Sequence, residues 1–161
     1  MKKGFIKFLF FILFMIILIY NPISARIMTF IVAYIYDLDS DIFYRQIATE
    51  SSFRCLAYSP KKAIGLGQVK KETANYIMPS VGSYLLWFPP INLIISAKYT
   101  NYLLKKYNNN WSLALAAYNW GETNVDKRIK NMKIKTNKNY KKLFSDVSES
   151  YSFIEKIYEK K

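Results

Sequence analysis

Histidine is absent from the 161-residue sequence, and cysteine occurs only once, as Cys55. A single cysteine excludes an intrachain disulfide, and the lack of histidine excludes His-based catalytic triads and Cys/His zinc sites. Acid–base chemistry must therefore come from carboxylates, tyrosine or lysine. The sequence indicates no metal site and no cofactor.

Acidic residues are also scarce, since 11 Asp and Glu stand against 24 Lys and Arg, for a net charge of +13. Such a charge favours anionic partners, although a general abundance of Lys, Asn, Ile, Tyr and Phe is an alternative origin for it. The most basic stretch, 127–142, has eight Lys or Arg and a single aromatic residue, Tyr140. Nucleic-acid binding calls for basic residues interleaved with stacking aromatics, so we expect a solvated loop there and no nucleic-acid partner.

The N-terminus has the three-part layout of a secretory signal. A basic start, 1–7, precedes an unbroken apolar run, 8–20, and small residues up to Ala25 suit a signal peptidase. The run is short for a membrane span, which needs about 20 apolar residues. We therefore predict a signal peptide over 1–25 and export to the periplasm or cell envelope. Because apolar residues 27–36 follow closely, an uncleaved signal anchor on the outer face of the inner membrane, with membrane contact through 8–20, is left open.

Hydrophobic periodicity predicts a mainly α protein with one domain over 26–161. No segment shows sustained period-two alternation, and length allows one modest core. The predicted helices cover 27–36, 41–52 with Asp39 or Ser40 as N-cap, 71–78, 92–107, 111–118 and 148–159. The nearly all-apolar helix 111–118 is expected to be buried and central, and 82–90 is expected to be irregular.

Glu50 stands out because it shares a helix face with apolar residues. Phe43, Ile47 and Glu50 lie at positions i, i+4 and i+7, so the carboxyl group is predicted to point toward the core or a cleft. Burial disfavours the ionised form of a carboxyl group and raises its pKa. This placement suits an acid that is protonated near neutral pH.

Three short stretches carry a recognisable pattern. They are Glu50-Ser51-Ser52-Phe53, then Ser59-Pro60 with Ala63-Ile64-Gly65-Leu66-Gly67-Gln68, then Ala117-Tyr118-Asn119-Trp120-Gly121 continuing to Val125. In order and spacing they resemble the signatures of the soluble lytic murein transglycosylases, a family related to goose-type lysozyme. Asn92 and Tyr99 fit a further signature of that family, and Glu149-Ser150 begins a version of its last one.

The resemblance implies a lysozyme-like domain with a substrate cleft and a lyase activity on the peptidoglycan of the cell wall. Such an enzyme, a muramidase without a cofactor, cleaves the β-1,4 bond between MurNAc and GlcNAc and leaves 1,6-anhydro-MurNAc ends. Glu50 would act first as acid and then as base. By position the resemblance also implies six substrate-binding residues: Ser59, Gly65, Gln68, Tyr118, Asn119 and Glu149.

By the same resemblance, those residues have distinct tasks. Ser59 would contact the sugar near its acetamido group, and Gln68 would bond the glycan, with Gly65 letting the backbone come close. Tyr118 would orient Glu50 or the muramic residue, and Glu149 would meet the peptide stem. Asn119 would brace the loop, although termination of its helix is an equally good explanation.

Four departures from the family pattern leave alternatives open. Gly67 replaces a Met, Ser96 stands where Gly is usual, Lys70-Lys71 replaces Met-Pro, and Phe153 replaces a Tyr. A weakly active or inactive glycan-binding component of a wall-spanning secretion or division assembly is one alternative. A goose-type hydrolase is another, but it needs a further catalytic acid or an ordered water, and Glu122 and Asp126 are expected to face solvent.

Overall fold

Helices form the regular secondary structure of the computed structural model, which describes residues 2–132 and 143–158. They are α1 (Lys2–Ile19), α2 (Pro22–Ile35), α3 (Ser40–Ser51), α4 (Lys71–Ile77), a 3₁₀-helix (Ser83–Trp87), α5 (Pro89–Lys106), α6 (Trp111–Trp120), α7 (Glu122–Met132) and α8 (Ser148–Tyr158). Across these described ranges β pairing is limited to two isolated bridges, Tyr58 with Ile64 and Ile64 with Val69. The prediction of a mainly α protein is confirmed.

Short polar side chains begin three of the helices. Asp39 is the N-cap of α3, one of the two predicted candidates, and it accepts a hydrogen bond from the amide of Ile42 at 2.9 Å. The helix begins at Ser40, one residue before the predicted start. Asn21 caps α2 and Asn110 caps α6 in the same way. Each cap satisfies a backbone N–H that the first turn leaves without a helical partner.

Some predicted boundaries differ from the structure. α2 begins at Pro22 and α5 at Pro89, both earlier than predicted, because proline suits the first turn of a helix, where no backbone N–H is needed. The basic run 127–142, predicted to be a loop, is helical over 127–132 as the end of α7. The rest of that run lies outside the described residues.

The core lies between α2, α3, α5, α6 and α8. α6 is buried at its centre, as predicted, with four successive apolar residues shielded from solvent. The fully buried large side chains around it come from several helices and from the segment before α8: Phe43, Ile47, Leu93, Leu103, Leu115, Phe144, Ile154 and Ile157. Enclosure of a central helix on all sides is the reason that its sequence lacks a polar face.

α1 and α2 differ in how they relate to this core. The apolar side chains of α1 are exposed, whereas α2 packs against α3 and α5 through buried residues that include Ala25. No single helix in the described part of the chain is both long and apolar enough to cross a membrane, but α1 and α2 pass that test as a pair bent by 64°. The predicted domain boundary after Ala25 falls inside α2 and stays a prediction.

One buried side chain fixes the loop between α3 and α4. Asn92 on α5 accepts a hydrogen bond from the amide of Gly67 at 2.8 Å and donates to the carbonyls of Ile64 at 2.8 Å and Leu86 at 2.9 Å. A buried amide that satisfies three backbone groups ties this loop to α5 and to the 3₁₀-helix.

Ser96 fills the space that a side chain at position 67 would need. A Cβ atom on Gly67 would lie 1.9 Å from the Ser96 hydroxyl oxygen and 2.8 Å from its Cβ atom. The Ser96 hydroxyl is held in place because it donates to the carbonyl of Asn92 at 2.8 Å. The two departures from the family pattern at these positions are therefore physically coupled, since a larger residue at 67 requires a smaller one at 96.

We expect the substitution Gly67→Ala to lower the free energy of unfolding by about 1–3 kcal/mol, because the new methyl group overlaps Ser96. Ser96→Gly alone should cost about 1 kcal/mol through helix propensity. The double variant G67A/S96G should be more stable than the sum of the two single effects predicts, as measured by urea denaturation. Strictly additive effects would contradict the coupling.

Candidate active site

Glu50 lies in the last turn of α3, on the face that this helix turns inward. Phe43 and Ile47 on the same face are fully buried, which confirms the predicted orientation. The helix then ends abruptly, because Ser52 and Phe53 both adopt left-handed backbone conformations with φ of 53° and 60°. This sharp turn redirects the chain and leaves the Glu50 carboxyl group beside the loop that follows.

The carboxyl group of Glu50 is largely enclosed by the protein. No hydrogen bond joins it to any other residue that the structure describes, although its side chain keeps some accessible surface toward a cavity. Burial raises the pKa of Glu50 to about 8, and the negative charge of Glu149 adds to the increase. Glu50 is therefore protonated at neutral pH, as a general acid must be before reaction.

A cavity of about 270 Å³ opens over this carboxyl group. It contains Glu50 and five of the six residues expected to bind substrate: Ser59, Gln68, Tyr118, Asn119 and Glu149. These side chains come from α3, from the loop after it, from α6 and from α8. The fold thus brings together in one cleft residues that lie up to about 100 positions apart in the sequence.

Ser59 and Gln68 form the loop wall of the cavity. The Ser59 hydroxyl oxygen accepts a hydrogen bond from the amide of Ala63 at 3.0 Å, and its own proton remains available to donate. Gln68 has a left-handed backbone with φ of 47°, and its side-chain amide donates to the carbonyl of Gly65 at 3.0 Å. Its side-chain oxygen makes no hydrogen bond with the described residues, so it is an acceptor open to a ligand.

Gly65 lies apart from the residues that line the cavity. Its φ is 74°, and a Cβ atom there would meet the side chain of Asn92 at 2.3 Å and the carbonyl oxygen of Leu86 at 2.9 Å. The missing side chain therefore allows close packing within the protein, and close approach of a glycan at this residue stays a prediction.

Tyr118 contacts the loop instead of bonding to the acid. Its hydroxyl donates to the carbonyl of Gly67 at 2.8 Å, and its ring packs on Tyr99 with centroids 5.2 Å apart. Burial raises the pKa of the Tyr118 hydroxyl, and the charge of nearby Glu50 adds to the effect. The predicted polar partner of this buried hydroxyl is thus a backbone carbonyl, and Tyr118 fixes the position of the wall opposite Glu50.

Asn119 connects two helices. α6 continues through Trp120, and Gly121, with φ of 95°, follows its end, so Asn119 does not terminate the helix. Its side-chain oxygen accepts a hydrogen bond from the Ser150 hydroxyl at 3.0 Å. This bond holds the start of α8, and with it Glu149, against the cavity.

An ion pair between Lys61 and Glu149 lies at the mouth of the cavity. The Lys61 ammonium contacts both Glu149 carboxylate oxygens, at 2.7 and 2.9 Å, and both side chains are mostly exposed. Sequence reasoning missed Lys61, because its partner is 88 residues away and only its place two residues after Ser59 pointed to the cleft. It also missed Thr73, and it gave no site role to the motif residues Tyr99 and Trp120, although all three line the same cavity.

Asp126 is exposed, as expected, whereas Glu122 is partly buried, contrary to expectation, and both carboxylates are bound to side chains of α5. The Glu122 carboxylate accepts hydrogen bonds from the Tyr102 hydroxyl at 2.9 Å and the Lys106 ammonium at 2.8 Å. Asp126 bonds to the same ammonium at 2.7 Å and to the hydroxyl of Tyr107 at 2.8 Å. These carboxylates pair α7 with α5, so neither is available as a second catalytic group.

A larger cavity of about 540 Å³ lies between α3 and α8 and is lined in part by Thr49, the residue before Glu50. Arg45, Ser52, Glu155 and Lys156 contribute to its lining. We assign the chemistry to the smaller cavity, because it contains the acid with the raised pKa. Within residues 2–132 and 143–158, no group of three or more Cys, Asp or Glu could hold a metal ion.

Comparison with known proteins identifies a family. Residues 28–141 match the family model described as the Transglycosylase SLT domain. The chain is also 33% identical over 93 residues to "Putative tributyltin chloride resistance protein" from Alteromonas sp. (strain M-1), an alignment that covers 55% of this chain and 44% of that protein. It therefore spans less than half of the length of that relative.

Solved structures share the fold at low sequence identity. The first is an inactive Glu-to-Gln variant of the lytic transglycosylase Slt from Pseudomonas aeruginosa. Its alignment covers 88% of this chain and 24% of the Slt chain, with a TM-score of 0.71 and 24% identity. The soluble lytic transglycosylase Slt70 from Escherichia coli matches 81% and 22%, with a TM-score of 0.72 and 21% identity. A 70-kDa soluble lytic transglycosylase bound to bulgecin A matches 87% and 23%, with a TM-score of 0.73 and 20% identity.

These structures establish the all-α, lysozyme-like fold that the sequence predicts. The family match covers most of the chain and includes Glu50, the loop that faces it, and α6. The chain belongs to the transglycosylase SLT domain family.

Proposed function

We propose that this protein is a lytic murein transglycosylase that cleaves the β-1,4 bond between MurNAc and GlcNAc in peptidoglycan. The observation that carries the proposal is the carboxyl group of Glu50, which lines the cleft, has no hydrogen-bond donor among the described residues, and has a pKa raised to about 8. Family membership supports it, as does the inactivity of the Glu-to-Gln variant of the Pseudomonas aeruginosa enzyme.

In the first step, Glu50 protonates the glycosidic oxygen while the bond from that oxygen to the anomeric carbon breaks. The leaving GlcNAc keeps the proton as a hydroxyl group, and positive charge develops on the MurNAc ring. The Glu50 carboxylate that remains is negatively charged and stabilises this charge across the cleft.

In the second step, the 6-hydroxyl of the same MurNAc attacks the anomeric carbon and gives its proton to Glu50. A 1,6-anhydro ring forms, the acid returns to its starting state and no water is consumed. Because the attacking hydroxyl belongs to the same sugar, its effective concentration is high and no second carboxylate is required.

The residues around Glu50 would hold the glycan in place. We propose that Ser59 donates to the acetamido group and that the free side-chain oxygen of Gln68 accepts from a sugar hydroxyl. Tyr118 positions the loop through Gly67, and Asn119 positions Glu149 through α8. Glu149, with Lys61, would meet the charged peptide stem at the cavity mouth.

Hydrolysis is the second candidate, because Glu149 brings another carboxylate to the same cavity. A hydrolase needs such a group to activate water. Glu149 is mostly exposed and its two oxygens are bound to Lys61, so it is poorly placed to remove a proton from a water molecule near the sugar. We therefore favour transglycosylation.

We also propose that the protein works outside the cytoplasm, in the cell envelope. The basic start, the apolar run 8–20 and the small residues that follow support export, and peptidoglycan is found only beyond the inner membrane. A role within a secretion or division assembly remains a separate prediction.

Glu50→Gln should lower the rate of glycan release by at least about a hundredfold, the usual contribution of a general acid. The amide is nearly isosteric, so binding to purified peptidoglycan sacculi should persist. Glu72→Gln, on the exposed part of α4 and outside the cavity, is the matched control and should retain full activity.

Mass spectrometry of the muropeptides released by the wild-type chain decides the mechanism. We expect products that are lighter by one water molecule than the products of hydrolysis. Ordinary reducing ends would show that the protein is a hydrolase and not a transglycosylase. Binding without any release, in a folded sample, would favour a glycan-binding component. Full activity of the Glu50→Gln variant would remove Glu50 from the reaction.

Activity should be retained at neutral pH and lost as pH rises through about 8, because only protonated Glu50 can donate. The charge of Glu149 contributes to the raised pKa, so Glu149→Gln should move the alkaline limb of the kcat/KM profile, which reports the free enzyme, to lower pH. Lys61→Gln removes a positive charge from the same cavity, so it should not move the alkaline limb to lower pH. An alkaline limb near pH 4.5 in the wild type, the ordinary pKa of a glutamate, would contradict this assignment.

A further inference from the structure

α2 is part of the folded domain rather than a detachable leader. Ala25, Thr29, Val32 and Ala33 form its inner face and are all buried. The Thr29 hydroxyl is satisfied because it donates to the carbonyl of Ala25 at 2.8 Å. Cleavage after Ala25 would remove the capped first turn of α2 and place a charged amino terminus at the edge of the core.

The opposite side of α2 is apolar and exposed. Six large side chains on this side are exposed, and we call them the outer face of α2: Ile23, Ile27, Phe30, Ile31, Tyr34 and Ile35. Phe30 also stacks on Tyr44 of α3. Tyr34 is 86% exposed and Ile35 66%. Monomeric proteins in water rarely expose a contiguous apolar surface of this kind, and such a surface marks contact with a partner or a membrane.

The outer face of α2 continues into a helix that is apolar on all sides. The large apolar side chains of α1, from Phe5 to Leu18, are exposed, and only Tyr20 and Asn21 separate the two helices. A helix that is apolar all round is found in a protein core or in lipid, and α1 is not in the core. If α1 lies in lipid, the outer face of α2, which follows it directly, lies next to that lipid.

The angle between the two helices fits a bilayer surface. α1 and α2 are bent by 64° at their junction, so that when α1 is inserted along the membrane normal, α2 lies closer to the membrane plane than to that normal. An interfacial helix inserts its apolar face roughly 5–10 Å into the headgroup and acyl boundary. Lys2, Lys3 and Lys7 precede the apolar run, which favours retention of the N-terminus on the cytoplasmic side.

We propose that the outer face of α2 is a lipid-binding surface, and that α1 is retained as a membrane anchor instead of being cut off after Ala25. The domain is then held against the outer leaflet of the inner membrane by two elements, one inserted and one lying in the interface. This inference builds on the proposed envelope location but holds whether or not Glu50 is catalytic.

The full chain with Ile31→Cys, labelled with an environment-sensitive fluorophore and reconstituted into phosphatidylethanolamine–phosphatidylglycerol vesicles, tests this surface. The native Cys55 is buried, so it should react little with the fluorophore. The wild-type chain treated with the same fluorophore measures this background labelling. Asn75→Cys, exposed on α4, is the matched control site.

At position 31 we expect a blue-shifted emission, strong quenching by nitroxide-bearing acyl chains, and several-fold less quenching by aqueous iodide than at position 75. Equal iodide quenching at the two sites would overturn the proposal. Protection from iodide without quenching by the lipid nitroxide would also overturn it, because the face would then be covered by protein, such as a second copy.

The mass of the chain extracted from bacterial membranes tests the retained anchor separately. A chain that still carries α1 is expected, and a mature protein that begins at Arg26 would overturn this part of the proposal. Neither measurement depends on glycan cleavage, so failure here is distinguishable from failure of the proposed enzyme activity.

Discussion

Enclosure of one carboxyl group, with no hydrogen-bond donor for it among the residues that the structure describes, is the constraint on which the site depends. Glu50 ionises near 4.5 in an unfolded chain but holds its proton to about 8 in the folded protein. Between these values the folded state binds more protons than the unfolded state, so stability falls as pH rises from about 4.5 to about 8. The acid that suits catalysis therefore destabilises the fold at neutral pH, and the surrounding core has to offset that cost.

Three side chains around Glu50 form hydrogen bonds that hold the walls of the cleft in place. Asn92 satisfies three backbone groups of the loop and the 3₁₀-helix, Tyr118 bonds the same loop from α6, and Asn119 holds α8. The pair of Gly67 and Ser96 then allows that loop to approach α5 closely. These positions differ from the family pattern together, so the loop keeps its place in the cleft by a compensated change rather than by a loss of packing.

Local signals in the sequence account for what could be predicted. Phe43, Ile47 and Glu50 share a face because helical periodicity requires it, and Asp39 caps a helix by its own chemistry. Contacts between distant segments could not be read in this way, which is why the ion pair of Lys61 with Glu149 and the bonds of Glu122 to α5 were missed. The family motifs include most of the residues that line the cleft. Gly65 is a motif residue outside that lining, where its missing side chain allows the loop to pack closely.

The most direct measurement is a pH titration of the Glu50 carboxyl group by infrared difference spectroscopy of the wild-type chain against Glu50→Gln. We expect the carbonyl band of a protonated acid at pH 7, with loss of that band at a midpoint near pH 8. A midpoint close to the ordinary value of 4.5 would show an ionised Glu50 at neutral pH and would contradict its role as a general acid.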